Sequence, residues 1–283
     1  MSDAEVDPVT GAADTWGADR VYPDDSFMFQ CHLFGYQDLT ERLPEGARVL
    51  DLACGDGYGS AVLAARAGSC VGMDLDPHLL AASARRYRAA RFVAADAFLL
   101  PFADGCFDAV AALQVVEHVA DTRGFLEEIA RVLSPEGVAY LTTPNIAQLP
   151  RTASKEFNPH HLRDFTPTEL RVELEQHFGE VVLLGQMLDE SLARTQRLLA
   201  GAREEWKVVG RVERVERIVR RLPGPLRVRL RRALLRAAGV PAWPMPEAEA
   251  ARAEIRAADF HAAEPAEASG CTIALARFPL RAG

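Results

Sequence analysis

The sequence predicts an α/β fold in which a mostly parallel sheet of seven strands is covered by helices on both faces. Three observations carry that reading. Apolar runs of strand length alternate with stretches of helical period, and their connections are short. No unit repeats along the chain, so the alternation builds one sheet rather than an array. A glycine-rich turn, VLDLACGDGYGS (Val49–Ser60), follows directly on the first apolar run.

After a polar start rich in Asp, Ala and Gly (residues 1–20, expected to be mobile), the first strand is Ala47–Leu52. A helix is expected over Gly59–Arg66, then a strand at Cys70–Asp74. The next helix, Pro77–Ala89, opens with proline in its first turn, where a missing N–H costs nothing. Strands follow at Arg91–Ala94 and Ala109–Leu113. In Thr122–Leu133 the residues Phe125, Ile129 and Val132 share one helical face. Val138–Thr142 reads as the fifth strand. Thr166-Pro167 starts a helix over Thr168–Phe178, with Leu170, Leu174 and Phe178 on one side. Val181–Leu184 and Thr272–Ala276 complete the seven. The parts are then an N-terminal segment (1–20), a core (21–186 with 271–283) and an insertion (187–270) between the sixth and seventh strands, expected to be helical and without strands. Within the insertion Val208, Val212, Val215, Val219 and Leu222 make an apolar stripe that must be buried, and Pro223-Gly224-Pro225 ends that helix.

Composition excludes several classes. With 283 residues, 49% of them apolar, the chain has ample material for a core. There is no apolar run of membrane-spanning length and no basic n-region followed by an apolar stretch at the N-terminus, so a cytoplasmic protein is expected. Five scattered cysteines without a C-x-x-C argue against a disulfide framework and a zinc site. The net charge of −8 is unevenly spread: Arg194 to Arg236 holds 14 Arg or Lys against four Glu. An acidic body with one basic segment is not a nucleic-acid binder, although that segment could touch a membrane surface.

In an open α/β sheet, ligands sit at the carboxyl ends of the strands, and a glycine turn there lets backbone approach them. A dinucleotide site requires G-x-G-x-x-G. From Gly55 the chain reads G-D-G-Y-G-S, with the third glycine one position early. Asp51 also stands ahead of the glycines, where a carboxylate would repel a pyrophosphate and suit a cationic ligand bearing an amino group. A nicotinamide-dependent oxidoreductase is therefore the weaker enzyme reading, and a non-catalytic binding module is the other alternative.

These residues resemble the first motif of the class I S-adenosylmethionine-dependent methyltransferases, D-x-G-x-G-x-G, at Asp51, Ala53, Gly55 and Gly57, with alanine in place of the first glycine. VGMDLDP resembles the second strand end, which implies that Asp74 holds the ribose hydroxyls, with Leu75 beside it. FVAADAFLLPFADGCFD implies that Asp96 and the Ala97 N–H meet the adenine. FDAVAALQVVEHV implies Gln114, Glu117 and His118 beside the methyl group, and RVLSPEGVAYLTTPN resembles the following helix, turn and fifth strand. The implied fold is Rossmann-like, doubly wound, with an antiparallel last strand. ADRVYPDD, CHLFGY, FNPHHLRDFTPTEL and VVLLGQ further resemble a bacterial subgroup whose members often methylate sugars, glycans or glycosylated metabolites. The subgroup's histidine, arginine and tyrosine become His32, Gly35 and Tyr36 here.

The expected activity is O-methylation by in-line displacement, with S-adenosylmethionine as cofactor and a small molecule or glycan as acceptor. His118 and His161 are the candidate bases, since imidazole is half ionised near neutral pH. His32, Tyr36, His160 and Arg163 are the candidate acceptor contacts, and the insertion is expected to wall the acceptor pocket. No metal is expected, because adjacent histidines at 160 and 161 point apart and no carboxylate cluster lies near them in sequence.

Overall fold

The structure is a computed structural model that describes residues 27–148, 161–188, 260–264, 266, 269 and 271–280. The N-terminal segment, His160 and the valine stripe of the insertion lie outside the described residues.

The chain opens with α1 (Phe27–Arg42), which the sequence reading placed only as a segment ahead of the first strand. Then follow β1 (Arg48–Leu52), α2 (Tyr58–Ala64), β2 (Ser69–Asp74), α3 (Pro77–Arg86), β3 (Arg91–Ala94) and β4 (Phe107–Leu113). A 3-10 turn (Val116–His118) leads to α4 (Thr122–Val132) and β5 (Leu133–Pro144). After α5 (Pro167–Leu174) come β6 (Phe178–Leu188), β7 (Phe260–Ala263) and β8 (Cys271–Pro279).

The helix starts have local causes. Asp76 caps α3 by accepting from the amides of His78 and Leu79, and Asp121 caps α4 through Gly124. Thr166 and Glu169 form a reciprocal capping box at α5. Among the described residues no helix is long and apolar enough to cross a membrane.

The sheet order is β3-β2-β1-β4-β5-β8-β6-β7. Strands β1 to β5 pair in parallel, while β8 is antiparallel to both β5 and β6, as the resemblance implied. Among the described residues the strand count is eight, not the seven expected. Strand β6 runs on to Leu188, and β7 pairs antiparallel with it from Gly185↔Ala263 to Leu188↔Phe260. The segment 187–270 therefore has strand at both of its ends, covering a sheet edge that would otherwise present unpaired backbone. Phe260 is buried and its ring lies 5.8 Å from that of Phe34 on α1.

Alternation along the strands splits the core in two. Val49, Ala109, Ala111, Tyr140, Ile273 and Leu275 face α1 and α2. Leu50, Leu52, Val110, Ala112, Leu141 and Ala274 face α4 and α5, with Phe125, Ile129, Leu170 and Leu174 packed on them. At Gly35 a Cβ would stand 2.8 Å from the Leu113 side chain, so α1 lies on β4 too closely for the arginine of the resembled subgroup.

Candidate active site

Strand order reverses between β1 and β4: β2 and β3 lie to one side, β5 to the other. Ligands of doubly wound sheets bind at that switch point. The carboxyl ends of β1, β2 and β4 meet there, carrying the glycine turn, Asp74 and the Gln114–His118 segment.

The turn is held by Asp74. Its Oδ2 accepts from the Gly55 N–H at 3.0 Å and its Oδ1 from the Asp76 N–H at 3.2 Å. Ala53, Gly55 and Gly57 all take left-handed backbone, with φ of 58, 55 and 83°. For Ala53 that costs about 1–2 kcal/mol, the strain a glycine would not feel. A Cβ on Gly57 would fall 2.6 Å from the Phe92 ring, whereas one on Gly55 would meet open space. The glycines therefore do different things: Gly57 lets the turn pack on β3, and Gly55 leaves bare backbone facing the cleft.

Asp51 needs a correction. It is fully buried, with Oδ2 accepting from Ser60 Oγ at 2.6 Å and Oδ1 from Tyr36 Oη at 3.1 Å. Both oxygens are engaged inside the protein, so the side chain braces the turn and does not reach a ligand's amino group. Burial pushes its carboxyl up to about 7 against the lowering effect of the two hydroxyls. Tyr36, expected at the acceptor, is likewise buried: its ring covers Gly59, where a Cβ would overlap it.

Beyond β3, Asp96 is exposed and accepts from the Phe98 amide at 2.9 Å; Ala97 is half-buried against the core. Leu75 and Phe98 are 47% and 41% exposed, unusual for side chains of that size beside two strand-end acids. They offer apolar surface to whatever fills the cleft.

At the end of β4, Gln114 has a φ of 56° and its amide donates to Thr142 Oγ1 at 3.1 Å, turning the side chain toward β5. Glu117 is buried; its Oε2 accepts from Thr143 Oγ1 at 3.0 Å. Burial lifts its carboxyl to about 8. The backbone carbonyl of Glu117 accepts from the amides of Leu162 and Arg163, tying the segment before α5 to the 3-10 turn. That tie brings His161 to His118, their rings 4.9 Å apart and nearly perpendicular. His161 Nδ1 lies 2.9 Å from Asp164 Oδ1.

The fold thus unites the two candidate bases, keeps Glu117 beside His118 as the resemblance implied, and adds Asp164, which the sequence did not join to them. Arg163 turns elsewhere, bonded to Glu173 at 2.6 Å and stacked on Phe165, so it is not presented to an acceptor. His32 lies half-buried on α1, where burial lowers its imidazole to about 4 and keeps it neutral.

A doubly wound sheet with the antiparallel β8 inserted between β5 and β6, a glycine turn after β1 and acids at the ends of β2 and β3 defines a methyltransferase-like α/β fold. Residues 50–141 match the family described as a methyltransferase domain. A probable S-adenosylmethionine-dependent methyltransferase of Mycolicibacterium smegmatis is 34% identical over 158 residues, 56% of this chain and 61% of that protein. One from Mycobacterium tuberculosis is 31% identical over 175 residues, 60% of this chain and 64% of its own. The chain thus spans less than two thirds of the length of these curated relatives. Among solved structures, a methyltransferase from Thermotoga maritima described as a possible histamine N-methyltransferase superposes with a TM-score of 0.56 at 13% identity, covering 89% of this chain and 91% of its own. The Haloferax volcanii complex of the Trm112 activator with a putative methyltransferase gives 0.53 at 20% identity, with 90% and 94% covered. At those identities the structures speak for the fold alone. The comparisons support a methyltransferase domain over residues 50–141, with S-adenosylmethionine as its cofactor.

The residues present fit that cofactor. Bare backbone at Gly55 permits close approach, Asp74 keeps unused lone pairs for hydroxyl donors, and exposed Leu75 and Phe98 offer apolar cover for a base.

Proposed function

We propose that this chain transfers a methyl group from S-adenosylmethionine to a hydroxyl oxygen of a small-molecule acceptor. The observation that carries the reading is the meeting of the glycine turn, Asp74 and the His118–His161 pair at the switch point of one sheet. Bound S-adenosylmethionine supplies a methyl carbon on a sulfonium, already a good leaving group. The chain's own part is to orient and to remove a proton. Asp74 and the Gly55 backbone fix the nucleoside end, and positioning of this kind is worth about 7–11 kcal/mol of barrier. As the new C–O bond forms and the C–S bond breaks, the sulfur keeps the electron pair and the acceptor hydroxyl loses its proton to an imidazole nitrogen of His118 or His161.

A sugar, glycan or glycosylated metabolite is the acceptor we favour, on the resemblance of the N-terminal and FNPHHLRDFTPTEL segments. A phenolic hydroxyl is the second reading: a ubiquinone biosynthesis O-methyltransferase of Rhizobium rhizogenes is 35% identical over 119 residues, 41% of this chain and 48% of that protein. We further propose that the insertion, residues 187–270, helps wall the acceptor pocket.

The test is release of S-adenosylhomocysteine by the full chain given S-adenosylmethionine and panels of glycosides and phenols. His118→Ala should lower turnover by about 10²–10⁴-fold with cofactor affinity unchanged, as for a base acting only in the transition state. Unchanged turnover in both His118→Ala and His161→Ala would remove the histidine base.

A further inference from the structure

Glu117 has a feature that methyl transfer does not use. Its carboxylate is 1% exposed; Oε2 is held by Thr143, yet Oε1 is buried without a hydrogen-bond partner. An orphaned buried carboxylate oxygen is costly and calls for an explanation. Two histidines stand beside it. Glu117, His118 and His161 each offer one ligand atom, and these atoms all lie within 4.8 Å of one another. Asp164 Oδ1 lies 2.9 Å from His161 Nδ1, a carboxylate that orients the ring and leaves Nε2 as the ligating nitrogen. The Leu162 and Arg163 amides on the Glu117 carbonyl hold the two ligand-bearing segments together.

We propose that Glu117, His118 and His161 bind a divalent transition-metal cation of the zinc class, with Asp164 as the outer carboxylate. Two imidazole nitrogens and one carboxylate oxygen suit such an ion, whereas magnesium and calcium prefer oxygen ligands throughout. Metal–ligand bonds of about 2.0–2.2 Å bring tetrahedral ligand atoms well inside the 4.8 Å within which these stand, and rotation of the His118 side chain closes any remaining difference. Three protein ligands leave a position open, as in catalytic zinc sites, and an oxygen bound there has its pKa lowered. If the methyl-transfer reading holds, an acceptor hydroxyl would fill that position and the bound ion would lower its pKa, so that His118 and His161 would serve as ligands in place of the base assigned to them above. The ion site itself does not depend on that reading.

The experiment uses the full chain stripped of metal by chelation and titrated with Co2+ followed by visible absorption, then with Zn2+ in competition. The site predicts one equivalent of Co2+ with the strong absorption of a four- or five-coordinate centre, displaced by Zn2+. Glu117→Gln and His161→Ala should abolish that spectrum, and Asp164→Asn should weaken binding by about 10–100-fold. His78→Ala, on the exposed start of α3, should leave it unchanged. Far-UV circular dichroism checks folding; should Glu117→Gln fail to fold, Asp164→Asn carries the test. A weak spectrum like that of hydrated Co2+, or a strong one that survives in both Glu117→Gln and His161→Ala, overturns the proposal. S-adenosylhomocysteine binding by the stripped protein reports separately on the cofactor reading. Methyl transfer without a Co2+ site removes the ion alone, and a Co2+ site without cofactor binding removes methyl transfer alone.

Discussion

Asp51 shows how one side chain can serve a binding site without touching the ligand. Its carboxyl, lifted to about 7, accepts hydroxyl donors from α1 and α2 at once and so joins both helices to the end of β1. An unfolded aspartate titrates near about 3.9, so between those values the folded chain holds more protons than the unfolded one. This contribution to stability is full at low pH and is lost as pH rises through the folded value. Thermal unfolding measured from about pH 5 to about pH 8 should therefore show a steeper fall in midpoint for the wild type than for Asp51→Asn, which stays neutral throughout. Parallel curves would mean that Asp51 is not held as described. Asp74 behaves differently, because it is half-buried and can serve the turn and a ligand together. Asp74→Ala should cost on the order of 2–5 kcal/mol of S-adenosylhomocysteine binding by calorimetry, as truncation leaves donors unpaired. The acids at 51, 74 and 96 were legible because each follows an apolar run directly. What Asp51 bonds to was not, because Tyr36 reaches it from a helix whose packing no local pattern reports. The link from Glu117 to His161 was hidden for a similar reason: a backbone carbonyl makes it, and backbone carries no sequence signal.

At the scale of elements, contact between α1 and α2 depends on the absence of a side chain. The Tyr36 ring occupies the space over Gly59, and its hydroxyl is fixed by Asp51. Gly59→Ala would gain up to about 1 kcal/mol of helix propensity in an open position. Here the overlap should outweigh that gain and give a net loss of about 1–3 kcal/mol in chemical denaturation. A neutral or stabilised variant would show that α1 does not lie on α2 in this way. The strands of the parallel half stood out in the sequence because burial on both faces makes them continuous apolar runs. Strand β7 did not, since FHAA is four residues with only Phe260 buried, and its reason for being extended is the free edge of β6. Helix α1 was missed because it packs against the sheet, α2 and the buried Phe260, which blurs any single apolar stripe.

Taken as a whole, the molecule sets the residues assigned to the cofactor apart from the β6–β7 edge of the sheet. Every residue assigned to the cofactor lies between Asp51 and His118, at the ends of β1 to β4, while β6 and β7 stand at the far edge of the sheet. Replacing residues 190–258 by a flexible linker should thus leave S-adenosylhomocysteine affinity unchanged while removing transfer to the acceptor found in the panel; a matching loss of cofactor affinity would place that segment over the cofactor itself. The parallel order could be read from the sequence because it follows from alternation and short connections. The acceptor could not, because fold does not set substrate. The central claim, that this switch point holds S-adenosylmethionine, is tested most directly by titrating the full chain with S-adenosylhomocysteine, and separately with NAD, in a calorimeter. The structure predicts one saturable site for S-adenosylhomocysteine, strongly weakened by Asp74→Ala, and no heat with NAD. Binding of NAD that depends on Asp74, with none of S-adenosylhomocysteine, would contradict it.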